Sequence, residues 1–112
     1  ENLVLNRIMD LRDALHLNGA IIRSAAPYRT DGENAVQVDL LVQTDDVMYV
    51  VEIKRRKQIK ATIVNEVKEK IRKIRRPKRI SVRKGLVYDG ELSPVVRRTG
   101  YFDAIIDVGS LI

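Results

Sequence analysis

Cysteine and tryptophan are absent from this 112-residue chain, and histidine and phenylalanine occur once each. Without cysteine there is no disulfide framework and no thiolate zinc site. With His16 as the sole histidine, a multi-histidine metal centre is also excluded. Any metal would have to be held by carboxylates and carbonyls, a hard-oxygen donor set that favours magnesium or manganese. No apolar run approaches the ~20 residues that cross a bilayer, and no signal-peptide pattern opens the chain. A cytoplasmic protein without membrane association is therefore expected. Aromatics make up only 4% of the residues, so the core must come from Val, Ile and Leu. Tyr28, Tyr49 and Tyr101 are too scattered in sequence to form a base-stacking platform. The length suits one domain spanning 1–112. The start lacks an initiator Met and opens directly in a helical pattern, as a piece of a longer chain would.

Acidic residues are scarce in one stretch and basic ones in another, which the net charge of +6 conceals. Residues 1–53 carry four Lys/Arg against nine Asp/Glu, whereas residues 54–84 carry fifteen Lys/Arg against only Glu66 and Glu69. Such segregation suits a polyanion gripped beside an acidic site. The alternative is a solvated basic helix face.

Apolar residues recur at Val4, Ile8, Leu11 and Leu15, which predicts an amphipathic helix from Asn2 to about Leu17. A first strand is expected over Ala20–Tyr28, with Pro27 at its frayed end. Hairpin strands follow at about Ala35–Gln43 and Val47–Lys54, then a basic connector, Arg55–Lys60. Ile63, Val67, Ile71 and Ile74 mark the buried stripe of a second helix, Ala61 to about Arg76, ended by Pro77. Lys68, Arg72, Arg75 and Arg76 lie on its outward flank. A strand over Ile80–Tyr88, a turn at Asp89-Gly90, a short helix over 94–99 and a last strand over Tyr101–Val108 complete the chain. The order is α-β-β-β-α-β with a small C-terminal appendix. Both faces of a mixed sheet should be covered, giving a three-layer α/β domain.

The hairpin carries the chemistry. Asp45-Asp46 suits a turn better than a metal site. Centring the turn there places Thr44 opposite Val47, Asp39 opposite Glu52 and Gln37 opposite Lys54. Val36, Val38, Leu40 and Val42 would then share one face, while Met48, Val50, Glu52 and Lys54 join Asp39 on the other. Directly opposed carboxylates repel one another, and aspartate is depleted in strands. Two explanations are open: a divalent cation between the acids, or a salt bridge to Lys54. Without a cation, a buried acid pair would be partly neutralised by a raised pKa.

The spacing of Asp39 and Glu52-Ile53-Lys54 on adjacent strands, after a helix beginning with Glu1, resembles the PD-(D/E)XK nuclease superfamily. The resemblance implies a restriction-endonuclease-like core of α-β-β-β-α-β order. It implies Mg²⁺ (or Mn²⁺) held by Glu1, Asp39, Glu52 and the main-chain carbonyl of Ile53. Asp39, Glu52 and Lys54 would be the catalytic side chains, with Lys54 positioning the attacking water. Val38 stands where the family often has proline. The termini, Glu1-Asn-Leu-Val-Leu-Asn6 and Gly100-Tyr-Phe-Asp-Ala-Ile-Ile-Asp107, resemble the C-terminal nuclease-like domain of bacterial and archaeal AAA-type ATPases. A preceding ATPase domain is implied, although this stretch has no phosphate-binding Gly-rich loop of its own.

The expected function is hydrolysis of nucleic-acid phosphodiesters, DNA above all, by a metal-dependent endonuclease, possible as a homodimer. A non-catalytic nucleic-acid-binding or regulatory module of an ATPase is the alternative. Arg55, Arg56, Lys57, Lys68, Arg72, Arg75 and Arg76 are the expected phosphate contacts. Gln37 is either a water-orienting group or an ordinary strand residue, and His16 a surface or capping one.

Overall fold

The computed structural model describes residues 15–17 and 19–108. The expected N-terminal helix, and Glu1 with it, falls almost wholly outside them. The described chain runs β1 (Ser24–Arg29), β2 (Gln37–Gln43), β3 (Val47–Ile59), α1 (Thr62–Lys73), β4 (Ser81–Leu92), α2 (Pro94–Thr99) and β5 (Ala104–Asp107). The strands form one mixed sheet in the order β1-β2-β3-β4-β5. The β1–β2 and β2–β3 pairs are antiparallel, and the β3–β4 and β4–β5 pairs are parallel. Each parallel connection needs a crossover, which α1 and α2 provide. This is an α/β fold.

Hairpin geometry follows from the turn. Thr44 N–H donates to the Val47 carbonyl at 2.9 Å, and the Thr44 hydroxyl accepts from Val47 N–H at 3.1 Å. Asp45, one of the two turn acids, is held by Arg23 at 2.8 Å. The register that this turn sets pairs Gln43 with Met48 and Leu40 with Val51.

Beyond Leu40 the expected alternation fails. The β1–β2 register shifts between Ala26, opposite Leu41, and Tyr28, opposite Val38. Asp39 and Leu40 together therefore face Pro27, a β-bulge. Pro27 lies inside β1 rather than at a frayed end, since a missing N–H is tolerated on an edge strand and at a bulge. The extra residue flips the face of what precedes it. Val36 and Val38 pack with Leu41, Met48, Val50 and Ile74, whereas Leu40 and Val42 pack with Tyr49, Val51 and Ile53 on the opposite face. The single apolar face expected for Val36, Val38, Leu40 and Val42 is thus corrected.

Apolar side chains line both faces. On one, Leu15 and Leu17 join Leu40, Val42, Tyr49, Val51, Ile53 and Val87. On the other, α1 buries Ile63, Val64 and Val67 against Leu86 and Tyr88. Gly85 allows the Tyr49 ring to lie over β4, because a Cβ there would stand 3.1 Å from the ring edge.

Strand β1 begins at Ser24 rather than Ala20 and β5 at Ala104 rather than Tyr101, and three further boundaries differ from expectation. The basic segment after Lys54 is strand up to Ile59, paired with a β4 that continues through Asp89-Gly90 to Leu92. Ile59, 2% exposed, anchors this extension in the α1-side core. A second bulge sets Arg56 and Lys57 against Gly90, where any Cβ would collide with the Arg56 carbonyl. Helix α1 ends at Lys73, short of Pro77, because Ile74 turns extended (φ −82°, ψ 127°) and buries its side chain. The carbonyls of Ile71, which also accepts from Ile74 N–H, and of Ile74 accept from the Arg76 guanidinium at 3.0 and 3.2 Å. The short helix over 94–99 stands as expected, with the Ser93 hydroxyl capping Val95 N–H.

Candidate nucleic-acid and metal site

Glu52 is the one buried charged residue among the described residues, 2% exposed. Strand alternation on β3 sends Met48, Val50, Glu52 and Lys54 toward α1, where Met48 and Val50 are core. The same periodicity therefore drives a carboxylate into the sheet–helix interface. Burial of an unpaired carboxylate is costly, and its partners come from two elements. Lys70 of α1 donates to both Glu52 oxygens, at 3.0 and 2.9 Å. Lys54, 15% exposed, places its ammonium 3.6 Å from Glu52 Oε1 and 3.7 Å from Glu66 Oε2.

Asp39 approaches from β2. The bulge ends the β2–β3 ladder at Leu40–Val51, so Asp39 and Glu52 are not a paired rung as expected. Instead the Asp39 carboxylate takes the place of a ladder carbonyl, with Oδ2 accepting from Ile53 N–H at 2.9 Å. Asp39 and Glu52 line the same cleft. Burial first, and then the hydrogen bond and charge of Asp39, push the Glu52 pKa up to about 7, against the opposing pull of Lys70. The raised pKa expected of a buried acid pair is present on Glu52.

These groups open into a cleft of about 450 Å³. Asp39, Glu52, Ile53 and Lys54 line it, with Arg55 and Arg56 at its rim and Lys70 and Lys73 from α1. Gln37 also lines it, although it pairs with Arg29 of β1 rather than facing Lys54 across the hairpin. Arg55 and Arg56 are exposed, with Arg55 3.8 Å from Asp89.

The remaining predicted cations are dispersed. Lys57 is exposed on β3 and does not line the cleft. Lys68 lies over the Tyr101 ring, 5.3 Å from its centre, with Lys84 at 5.0 Å. Arg72 is bonded to Glu69 at 3.0 Å, and with Arg75 it lines a separate recess. Arg76 is committed to helix-end carbonyls. His16 is exposed, with φ of 59°.

Sequence reasoning missed Lys70 and Lys73. Lys70 follows Val67 by three residues and so shares its face, a signal masked by the uniformly basic composition around it. Among the described residues, no three acidic or histidine side chains cluster in a way that would hold a metal. The donors at hand are the Asp39 and Glu52 carboxylates and a strand carbonyl, and the Lys70 ammonium stands where a cation would neutralise Glu52.

No helix among the described residues is long and apolar enough to cross a membrane. The chain matches no protein-family model, no curated protein and no solved structure.

Proposed function

We propose that this chain is a Mg²⁺- or Mn²⁺-dependent nuclease domain of the restriction-endonuclease-like class, hydrolysing phosphodiesters of DNA. The observation that carries the reading is the convergence of Asp39, Glu52 and Lys54 in one cationic-rimmed cleft, around an acid whose pKa is pushed to about 7. The antiparallel β1–β2–β3 meander, followed by α1 and a parallel β4, agrees with the core such a domain requires.

Asp39 and Glu52 would hold the ion, with the carbonyl of Ile53 as a third oxygen. In a strand, the N–H and C=O of one residue point to the same side, and Ile53 N–H already points to Asp39. The ion, when bound, would polarise the phosphate and lower the pKa of a coordinated water. Lys54 is held by two acids at the cleft wall, suited to orienting a water and offsetting charge on the phosphate. Arg55 and Arg56 contact flanking phosphates. Glu1 remains a proposed further ligand, and an ATPase domain and a second copy of this domain are the proposed protein partners.

One observation favours a second reading, a non-catalytic nucleic-acid-binding module. Lys70 saturates both oxygens of Glu52, which balances the buried charge without a metal. A plasmid-nicking assay separates the two readings. The nuclease reading predicts nicking in Mg²⁺ or Mn²⁺ that Asp39→Ala or Lys54→Ala abolishes. Cleavage unchanged in both variants contradicts it, and salt-sensitive DNA binding without nicking establishes the module.

A further inference from the structure

A second polar recess, of about 420 Å³, adjoins the cleft and shares Lys73 with it. Its walls come from elements distant in sequence. Tyr28, Thr30 and Asn34 belong to β1 and the β1–β2 connection, while Arg72 and Lys73 close α1 and Arg75 follows it. Among the described residues, neither Lys73 nor Arg75 is within salt-bridge distance of an acid. Arg72 is paired only with Glu69. One acid, Asp31, also lines the recess, but it is 95% exposed and lies 4.0 Å from Arg29. The carboxyl end of a helix ordinarily repels anions. Here Arg76 covers the Ile71 and Ile74 carbonyls, and the last turn is basic.

Lys73 and Arg75 carry no ion pair, although Glu69 still feels the charge of Lys73, and with a phenol, a hydroxyl and a carboxamide in the same lining they make a hydrogen-bonding pocket for a tetrahedral oxyanion. We infer that this recess is a second phosphate subsite for the nucleic-acid strand engaged in the cleft. The strand leaves the acids, passes Lys73, and places a further phosphate between Arg75 and the β1–β2 connection. Asn34 and Tyr28 donate to its oxygens and fix its position, while Lys73 and Arg75 supply charge. The assignment rests on the nucleic-acid reading above but requires no cleavage.

Fluorescence anisotropy of a labelled DNA duplex in EDTA, across a series of salt concentrations, tests it without reference to catalysis. Arg75→Gln should weaken binding and reduce the salt slope by about one phosphate contact. Asn34→Ala and Tyr28→Phe should weaken binding with the slope unchanged, a result that diffuse charge alone does not give. Arg98→Gln, an exposed charge change on α2, should leave affinity nearly unaltered. Wild-type affinity and slope in the three recess variants would overturn the subsite, and so would the absence of salt-dependent DNA binding by the wild type. Loss of nicking in the wild type with recess-dependent binding intact would sink the nuclease reading alone.

Discussion

A single buried glutamate links folding to chemistry at the level of the residue. The pKa of Glu52 is pushed up to about 7 from an ordinary value of 4.5. The native state therefore holds a proton that the unfolded chain has released between those pH values. By linkage, stability falls as pH rises from 4.5 to 7, and the full penalty is present above 7. The penalty is on the order of 3 kcal/mol. Glu52→Gln should accordingly raise Tm at pH 8 and flatten the decline between pH 4.5 and 7, measured by circular dichroism melts. An unchanged pH profile would show that Glu52 ionises normally. Lys70 makes the complementary case, since its ammonium competes with any divalent ion for both Glu52 oxygens. Lys70→Ala should tighten Mn²⁺ binding by ~10-fold, equivalent to about 1.4 kcal/mol. In the absence of metal it should destabilise the fold by about 1–3 kcal/mol. Weaker Mn²⁺ binding in Lys70→Ala would mean that Lys70 orders the site rather than blocks it. Glu52 and Lys54 were legible on one face of β3 from period-two alternation, whereas Asp39 reaches them through the bulge and not through the paired rung that alternation gave it. Lys70 was not, because one lysine among fifteen basic residues carries no distinguishing pattern until the helix docks.

Two bulges, each invisible to simple alternation, shape the site at the level of the element. The first sets Asp39 and Leu40 against Pro27, ends the β2–β3 ladder and turns the Asp39 carboxylate onto Ile53 N–H. The sequence reading carried strict alternation through Asp39 and so misassigned Val36 and Val38, because one inserted residue inverts every face beyond it. Both reside in an apolar cluster either way, and composition could not flag the change. The second bulge sets Arg56 and Lys57 against Gly90, whose φ of +133° and contact with the Arg56 carbonyl exclude a side chain. Asp89-Gly90 has the local signature of a turn. Long-range pairing with β3 and the buried Ile59 override it. Gly90→Ala should therefore cost about 1–3 kcal/mol in urea denaturation. Because Arg55 and Arg56 at the rim depend on this extension, it should also weaken DNA binding. Wild-type stability in Gly90→Ala would place the β3–β4 extension outside the cooperative fold. The crossover helix shows the same balance. Its apolar stripe was readable, but its end was not, since burial of Ile74 decides where the helix stops.

Charge segregation becomes spatial organisation over the whole molecule. The acidic N-terminal half contributes Asp39 and Glu52, and the basic middle contributes Lys54, the rim arginines and the α1 lysines, so the two meet at one cleft beside the sheet. The mixed α/β architecture was readable from element order, and the register of the hairpin from its turn as far as Leu40–Val51. Which of the many cations reach the cleft was not readable, because helix rotation and capping decide it. Lys68 is drawn onto Tyr101 and Arg76 onto helix-end carbonyls. Asp39 and Glu52 are proposed to form a divalent-cation site. Calorimetric titration of Mn²⁺ at pH 7, in two buffers of different ionisation enthalpy, tests it most directly. Burial holds part of the Glu52 population protonated near neutral pH, so metal binding should release protons. Both the binding and the proton release should vanish in Glu52→Gln. No Mn²⁺ binding by the wild type, or binding with no proton release that survives Glu52→Gln, would rule out a metal site at these two acids.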